Sequence, residues 1–527
     1  MLNKATQTSQ KLRGGYYTPN SIATYLWNWV KENKPATLLE PAAGDGALIK
    51  PIDDRQLQIS AVELMTSEVN KIKQLGEKQP GLHVFNEDFY AWYEKHESTK
   101  YDAILSNPPY IRYQYLNPEQ REIQSQILRK NGLRPNKLIN SWVPFVIAGL
   151  SMLNENGRIG LVIPTDFLQV TYAKQLRQYL IKELQQMIVI TFQNSVFPGT
   201  QQDFLLLLGE KGRKDLKFKH TIAHDIHTLP NIDTLSPEEP PAFSSAKWTD
   251  LGLNSNDRNY INSFKNETIP FTQLTKTQVG LTTGANSFFS LTEEDVERLH
   301  AQKYVKPLLG RSVSITSSIF NHEVLVKDAA QNQKIWLLDL SGYTKTDLPS
   351  PLVNYISLAE KKNVNNAYKL RIRNVWYQIP NIWSPDAFLL RRIGSVPKLV
   401  LNDINGVSTD TFHRVKISNG ISKQILLFSF YSSISLTFLE LAGRSYGGGA
   451  LEILPGDLSN LYLPTLPYEE KIDLTNEIQH LDTLLKTNDI QQISKYADRV
   501  LKERLDAYYD GARFRDILGK LQDIRIK

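Results

Sequence analysis

Asn107, Pro108, Pro109 and Tyr110 follow directly on the apolar run Tyr101 to Leu105, and these residue types in this order suit chemistry on an exocyclic amino group. Such a nitrogen is a poor nucleophile because its lone pair is delocalised into the ring that bears it. Two hydrogen-bond acceptors aimed at its N–H groups relieve that. The side-chain oxygen of Asn107 can supply one. A backbone carbonyl of the proline pair can supply the other, on a turn that proline stiffens by fixing φ and removing an N–H. Tyr110 adds a flat face on which a base can stack. The tetrapeptide alone also fits a plain turn after a buried strand, so its context decides.

Three preceding strand ends carry acidic residues. Glu40-Pro-Ala-Ala-Gly-Asp-Gly46 follows the first strand, so a glycine-containing turn is expected to lead into a helix at the carboxyl edge of a sheet, where open α/β sheets bind ligands. It is not a Gly-x-Gly-x-x-Gly loop and lacks a P-loop lysine, which argues against a dinucleotide or ATP phosphate grip. Glu63 closes the second strand, where a carboxylate can hold both hydroxyls of a ribose. Asp88 and Phe89 end the third, placed to accept from an adenine amino group and to pack against its ring. A lone acid at a strand end is commonly a cap or loop residue. Four consecutive strands ending in Glu40, Glu63, Asp88 and Asn107 form a pattern instead.

The elements that must position these residues read as a doubly wound α/β domain up to about Lys211, short apolar runs alternating with amphipathic stretches. The expected strands are Thr37 to Glu40, Leu57 to Leu64, Leu82 to Phe85, Tyr101 to Leu105, Arg158 to Ile163, Met187 to Phe192 and Asp203 to Gly209. Helical patterns cover Ser21 to Glu32, Ser67 to Gln79, Leu138 to Leu153 and Tyr172 to Leu184. The last two strands have no helix between them, which predicts an antiparallel hairpin closing the sheet edge. Residues 1–212 then form a catalytic domain, 213–253 a linker or surface excursion rich in Lys, Pro and Glu, 254–465 a mixed α+β second domain, and 466–527 a helical C-terminal segment with Ile472, Leu474, Ile478, Leu481, Leu484 and Leu485 as face residues.

At 527 residues, the chain exceeds one hydrophobic core, and 41% hydrophobic with 22% charged residues is an ordinary globular composition. The polar N-terminus and the lack of a long apolar run point to a cytoplasmic protein without a membrane partner. A net charge of +6, from 61 basic and 55 acidic residues, permits nucleic-acid binding without demanding it. There is no cysteine. That excludes disulfides, thiolate metal sites and covalent attack on a cytosine ring carbon by a thiolate, so methylation of a base would have to fall on an amino nitrogen. The nine histidines show no metal-site spacing, and no metal is expected.

In order, Gly14-Gly-Tyr-Tyr-Thr-Pro19, Leu39-Glu-Pro-Ala-Ala-Gly-Asp-Gly46, Ala61-Val-Glu-Leu64, Asp88-Phe89, Asn107-Pro-Pro-Tyr110 and Phe197-Pro198 resemble the motif series of the γ-class adenine-N6 DNA methyltransferases, over roughly Arg13 to Gly209. Asp45 occupies a position that varies in that family. The resemblance implies a Rossmann-like S-adenosylmethionine-dependent methyltransferase domain followed by a target recognition domain that reads double-stranded DNA. It implies that Thr18, with the backbone around Glu40 and Ala42, holds the methionine end of the cofactor, that Glu63 binds the ribose, and that Asp88 and Phe89 take the adenine, Asn107 and Pro109 also lining the cofactor. Asn107 and the Pro108 carbonyl would hold the target amino group, with Tyr110 and Phe197 stacked on the extruded base. The family includes modification enzymes that work beside a cognate restriction endonuclease and orphan enzymes, each expected to act as a monomer on DNA.

Basic residues interleaved with aromatics mark further candidates. Beside the tetrapeptide stand Arg112, Tyr113, Arg121, Arg129, Lys130 and Arg134, which suit either phosphate clamping or a solvated helix face. In the second half, Arg371, Arg373 and Trp376 within Tyr368 to Tyr377, together with Arg391, Arg392, Lys398, Arg414 and Arg444, suit a DNA surface, and Gly443 to Gly449 a close backbone approach. Methylation of RNA or of a protein glutamine is disfavoured by the length that follows the catalytic domain. Cytosine-N4 methylation is a nearer rival, against which only Asn at the first motif position speaks. A combined restriction and modification enzyme would need a nuclease domain, for which neither the short N-terminal stretch nor Pro385-Asp386 provides. A non-catalytic DNA-binding module does not fit the intact motif series.

Overall fold

The computed structural model describes residues 17–194, 197, 203–241, 247–312, 315, 317–446 and 449–526. Gly14 to Tyr16, Pro198, Gly447 and Gly448 of the motifs above lie outside the described residues. The chain divides into two units after Ser255.

The first unit is built on one sheet of eight strands: β1 (Thr37–Glu40), β2 (Gln58–Glu63), β3 (Leu82–Asn86), β4 (Tyr101–Ser106), β5 (Leu153–Pro164), β6 (Leu184–Phe192), β7 (Phe204–Lys211) and β8 (Lys217–Ala223). Their order is β3-β2-β1-β4-β5-β7-β6-β8. The five strands from β3 to β5 pair in parallel, whereas β7 runs antiparallel to both β5 and β6. Central strands buried on both faces read as near-continuous apolar runs, as Leu38, Leu39, Ala103, Ile104 and Leu105 do here. From β1 the chain winds one way to β3, then crosses back to β4 and β5. The carboxyl ends of β1 and β4 therefore form the topological switch point, the ligand crevice of open α/β sheets.

Helix Asn20–Lys31 buries Ile22, Ala23, Leu26, Trp27 and Val30. It lies close to β5: Trp29 Nε1 donates to the Ile159 carbonyl at 3.2 Å, and a Cβ at Gly160 would stand 3.4 Å from Leu26 and 3.0 Å from Leu105. Gly160 is thus the small residue that close approach requires.

Several expectations are corrected. The stretch after Gly46 is not a helix but successive turns, with Ile49 and Lys50 N–H donating to the Gly46 carbonyl and Ile52 N–H to the Ile49 carbonyl. Pro51, which lacks an N–H and biases Lys50 away from the helical region, stops it there. The helical pattern from Leu138 becomes a helix only at Trp142–Met152, because Asn140 pairs with Arg112 and Ser141 bonds to the active-site turn. A helix absent from the expected set, Pro118–Lys130, is closed by a capping box of Asn117 and Gln120 with Pro at its first position. The β6–β7 hairpin exists, but it does not close the sheet: β7 inserts between β5 and β6, and β8, from the stretch read as a linker, pairs in parallel with β6. Its alternation is hidden by charge, since Phe218 and Ala223 are the residues of β8 that are buried. Trp248 and Leu251, farther along the same stretch, belong to this unit's core.

The second unit contains a five-stranded sheet in the order Thr275–Val279, Phe412–Ile417, Ala387–Leu390, Leu399–Asn402, Ile319–Phe320. A four-stranded sheet orders Ser290–Leu291, Trp336–Leu338, Val305–Leu309 and Val407–Ser408. The bent helix pair Lys423–Tyr431 and Ser433–Ala442 is almost wholly buried. Helices Thr475–Leu485, Ile490–Leu505 and Gly511–Ile526 complete this unit. In the first of them Ile478, Leu481 and Leu485 are buried as the period predicts, as is its N-cap Leu474, while Ile472 precedes the helix and Leu484 is half-buried.

Candidate active site

At the switch point the Asn107 side chain is held from two sides. Its Nδ2 donates to Thr18 Oγ1 at 3.2 Å, and its Oδ1 accepts from the Tyr110 hydroxyl at 2.6 Å. The same hydroxyl lies 2.8 Å from the Val162 carbonyl on β5. The turn itself is fixed by Ser141, whose hydroxyl donates to the Pro109 carbonyl and accepts from Ile111 N–H at 2.9 Å. Ser141 is fully buried. The two proline carbonyls are thereby distinguished: that of Pro109 is engaged, and among the described residues none donates to that of Pro108.

Tyr110 is buried, with its ring centroid 5.2 Å from Phe204, and Phe204 meets Phe197 edge-on at 4.7 Å. Phe204, the first residue of β7, joins the two aromatic candidates and was not singled out from the sequence; its only signal there is an aromatic at a strand start.

The acidic strand ends converge as expected, each with its own local duty. Glu40 Oε1 accepts from Ala42 N–H at 3.3 Å. Its Oε2 is buried without a hydrogen-bond partner, although the Ser106 hydroxyl is near enough to favour the charged form. Burial, reinforced by the Glu63 charge, holds the Glu40 carboxyl well above the ordinary carboxylate range. Glu63 accepts from Gly44 N–H at 2.8 Å and from Met65 N–H at 2.7 Å, one bond to each oxygen, so it folds the glycine turn back onto the end of β2. Gly44 and Gly46 sit at φ +53° and +79°, in the left-handed region that this turn demands. Burial raises the Glu63 carboxyl as well. Leu64 and Met65 beside it are exposed apolar side chains.

Asp88 caps helix Phe89–His96 through Oδ1, which accepts from Tyr90 and Ala91 N–H, while its Oδ2 accepts from Gln120 Nε2 at 2.8 Å. Phe89 is buried, 4.5 Å from Phe145. The structure thus gathers Thr18, Glu40, Ala42, Glu63, Asn107, Pro108, Pro109 and Tyr110 around the switch point, and it gives Asp88 and Phe89 structural partners of their own.

Many of the basic candidates have partners within their own unit, some of them in surface ion pairs. Arg121 lies over the Tyr113 ring at 5.1 Å and donates to the Tyr113 and Gln114 carbonyls. Arg129 pairs with Glu122 and Lys130 with Glu97. In the second unit Arg373 donates to the Thr282, Thr283 and Trp376 carbonyls. Trp376 donates to Glu360 at 2.9 Å and packs 4.9 Å from Phe288. Arg391 and Arg392 share Glu452, and Arg444 meets Asp457 at 3.5 Å. Lys398 donates to the Ile315 carbonyl, and Arg414, which is buried, to those of Val279 and Asn381. Arg112, Arg134 and Arg371 are exposed, as are the ion-paired Arg129, Lys130 and Arg392.

The strand order, with β7 inserted antiparallel, and the acidic strand ends around Asn107 define a Rossmann-like methyltransferase domain. The restriction-modification enzyme MmeI, of type IIL, solved in complex with DNA, shares the fold with a TM-score of 0.57 at 11% identity, over 96% of this chain and 75% of that one. The family model described as the Eco57I restriction-modification methylase matches residues 47–197, and that described as the C-terminal domain of type II methyltransferase M.Eco57I matches residues 245–502. The type II methyltransferase M.AccI of Acinetobacter calcoaceticus is 23% identical over 520 residues, 93% of each chain. M.HincII of Haemophilus influenzae is 28% identical over 228 residues, covering 42% of this chain and 40% of that relative. Together these models and relatives support the type II DNA methyltransferase family for this chain.

Proposed function

We propose that the chain methylates the N6 amino group of adenine in double-stranded DNA with S-adenosylmethionine as donor, as a γ-class modification enzyme of a restriction-modification system. The observation that carries this reading is the Asn107 amide, fixed at the switch point between Thr18 and Tyr110, next to a Pro108 carbonyl with no donor among the described residues. Asn107 Oδ1 and the Pro108 carbonyl are the two acceptors that an amino nitrogen needs as it gains positive charge, and preorganised acceptors of this kind stabilise such a transition state. No strong base is required, because the amino proton becomes acidic only once the new bond forms.

The residues present fit the donor. Glu40 offers a buried carboxylate oxygen without a hydrogen-bond partner for an ammonium group. Each oxygen of Glu63 keeps a further lone pair for a ribose hydroxyl. Leu64 and Met65 offer apolar surface to a purine. When bound, the cofactor supplies an activated methyl group. A paired base cannot present its amino group here, so the nucleotide leaves the duplex, at a cost of roughly a few kcal/mol. Tyr110 and Phe197 are the aromatic groups that receive it.

Modification-sensitive sequencing of DNA from a host expressing the protein tests this reading. N6-methyladenine in one sequence context is expected, and it disappears with Asn107→Ala. Finding N4-methylcytosine alone, or no modified base, overturns it.

A further inference from the structure

The segment from Ile111 to Asn140 leaves the active-site turn and returns to it. Its two ends pair at Arg112 and Asn140, immediately before Ser141, whose hydroxyl bridges Pro109 and Ile111. Leu138 lies two residues before this pairing and is 78% exposed, and Tyr115 lies three residues after it and is 57% exposed. Single exposed apolar residues are ordinary. Two of this size at the mouth of an active site, on backbone held in place, are not explained by chance exposure.

Both positions are held. Leu138 N–H donates to Asn136 Oδ1 at 2.9 Å, and its neighbour Ile139 is buried. Arg134 exchanges bonds with the Gln175 side chain through its N–H and carbonyl. Tyr115 is followed by buried Leu116, and the carbonyls of Tyr113 and Gln114 before it are clamped by Arg121. The exposed side chains flanking the pair include Arg112, Arg134 and Lys137, and neither stretch 107–117 nor 131–141 contains an acidic residue. An apolar tip on hydrogen-bonded backbone, with exposed cations close by in the chain, is complementary to the inside of a base stack bordered by phosphates.

We infer that Leu138, supported by Tyr115, is the wedge that enters the duplex where the target nucleotide leaves and fills the gap in the stack. This inference rests on the DNA-methylating reading above. A wedge acts only on the extrusion step, so its loss weakens methylation of a paired base and not of one that is already unpaired.

The test uses the full chain and a duplex carrying the sequence found modified in the expressing host, with a second duplex in which the nucleotide opposite the target is abasic. Leu138→Ala lowers the single-turnover rate on the paired duplex by about tenfold or more, within the extrusion cost of roughly a few kcal/mol. On the abasic duplex it stays within about twofold of the parent protein, and Leu138→Met, apolar and similar in volume, keeps the parent rate on both. An unchanged rate on the paired duplex, or an equal loss on both, overturns the wedge. Absence of methylation by the parent protein on both duplexes overturns the underlying reading instead.

Discussion

The Tyr110 hydroxyl donates to Asn107 Oδ1 at 2.6 Å while lying 2.8 Å from the Val162 carbonyl, two acceptors contending for a single hydrogen. The tyrosine therefore does more than offer a ring: it aims the amide and ties it to β5. Tyr110→Phe keeps the ring and removes the tie. The methyl-transfer rate should fall about ten- to a hundredfold, the scale of small misplacements at a reacting centre, with cofactor affinity unchanged. Single-turnover kinetics beside equilibrium cofactor binding separates the two, and a parent-like rate would show that the hydroxyl does not position Asn107.

Ser141 performs the corresponding task for the backbone. Its hydroxyl is the only side-chain group, among the described residues, that bonds both ends of the Pro109–Ile111 turn. Ser141→Ala leaves a partly buried carbonyl and a partly buried N–H without that partner, so stability should fall by about 1 kcal/mol. Urea denaturation measures this, and a parallel loss of methylation with intact cofactor binding would place the effect at the turn.

Strand ends were legible because each candidate closes or directly follows an apolar run: those reaching Glu40, Glu63 and Asn107 predict their meeting at one sheet edge. Ser141 and Phe204 were not, since each lies far along the chain from the tetrapeptide and reaches it only through the sheet order. Strand β8 was missed because its lysines and histidine conceal an edge-strand alternation. The interleaving of cations and aromatics in the second half was legible as composition but not as purpose. Arg373, Arg414 and Arg444 turn inward to carbonyls and a carboxylate, a choice that depends on tertiary neighbours rather than on residue type.

The buried Glu40 carboxyl predicts a linkage to pH. Its value is held well above the ordinary carboxylate range by burial, so the folded state keeps a proton that the unfolded chain gives up. The sign follows: this group lowers stability as pH rises from the ordinary carboxylate range towards its folded value. A cationic group placed against it restores the charged form. Binding of S-adenosylmethionine at a pH between the ordinary carboxylate value and the raised value of Glu40 should therefore release protons, seen in calorimetry as heats that vary with the ionisation enthalpy of the buffer. Glu40→Gln should abolish that variation and weaken binding. Equal heats across buffers for the parent protein would remove Glu40 from the ammonium site.

Arg371 and Arg373, two residues apart, should behave oppositely. Arg371 is exposed, whereas Arg373 is half-buried, donates to three carbonyls, and has its guanidinium pKa lowered by burial. Arg373→Ala strands those carbonyls around the Thr282–Gly284 loop and should cost about 1–3 kcal/mol of stability, visible as a lower Tm. Arg371→Ala should leave Tm unchanged. If its side chain meets a DNA phosphate, the variant binds duplex DNA more weakly at all sequences, and the slope of log affinity against log salt falls by about one. A Tm loss in Arg371→Ala, or an unaltered salt slope, would exclude it from the DNA surface and leave recognition to other exposed residues of the second unit, Tyr368 and Lys369 first among them.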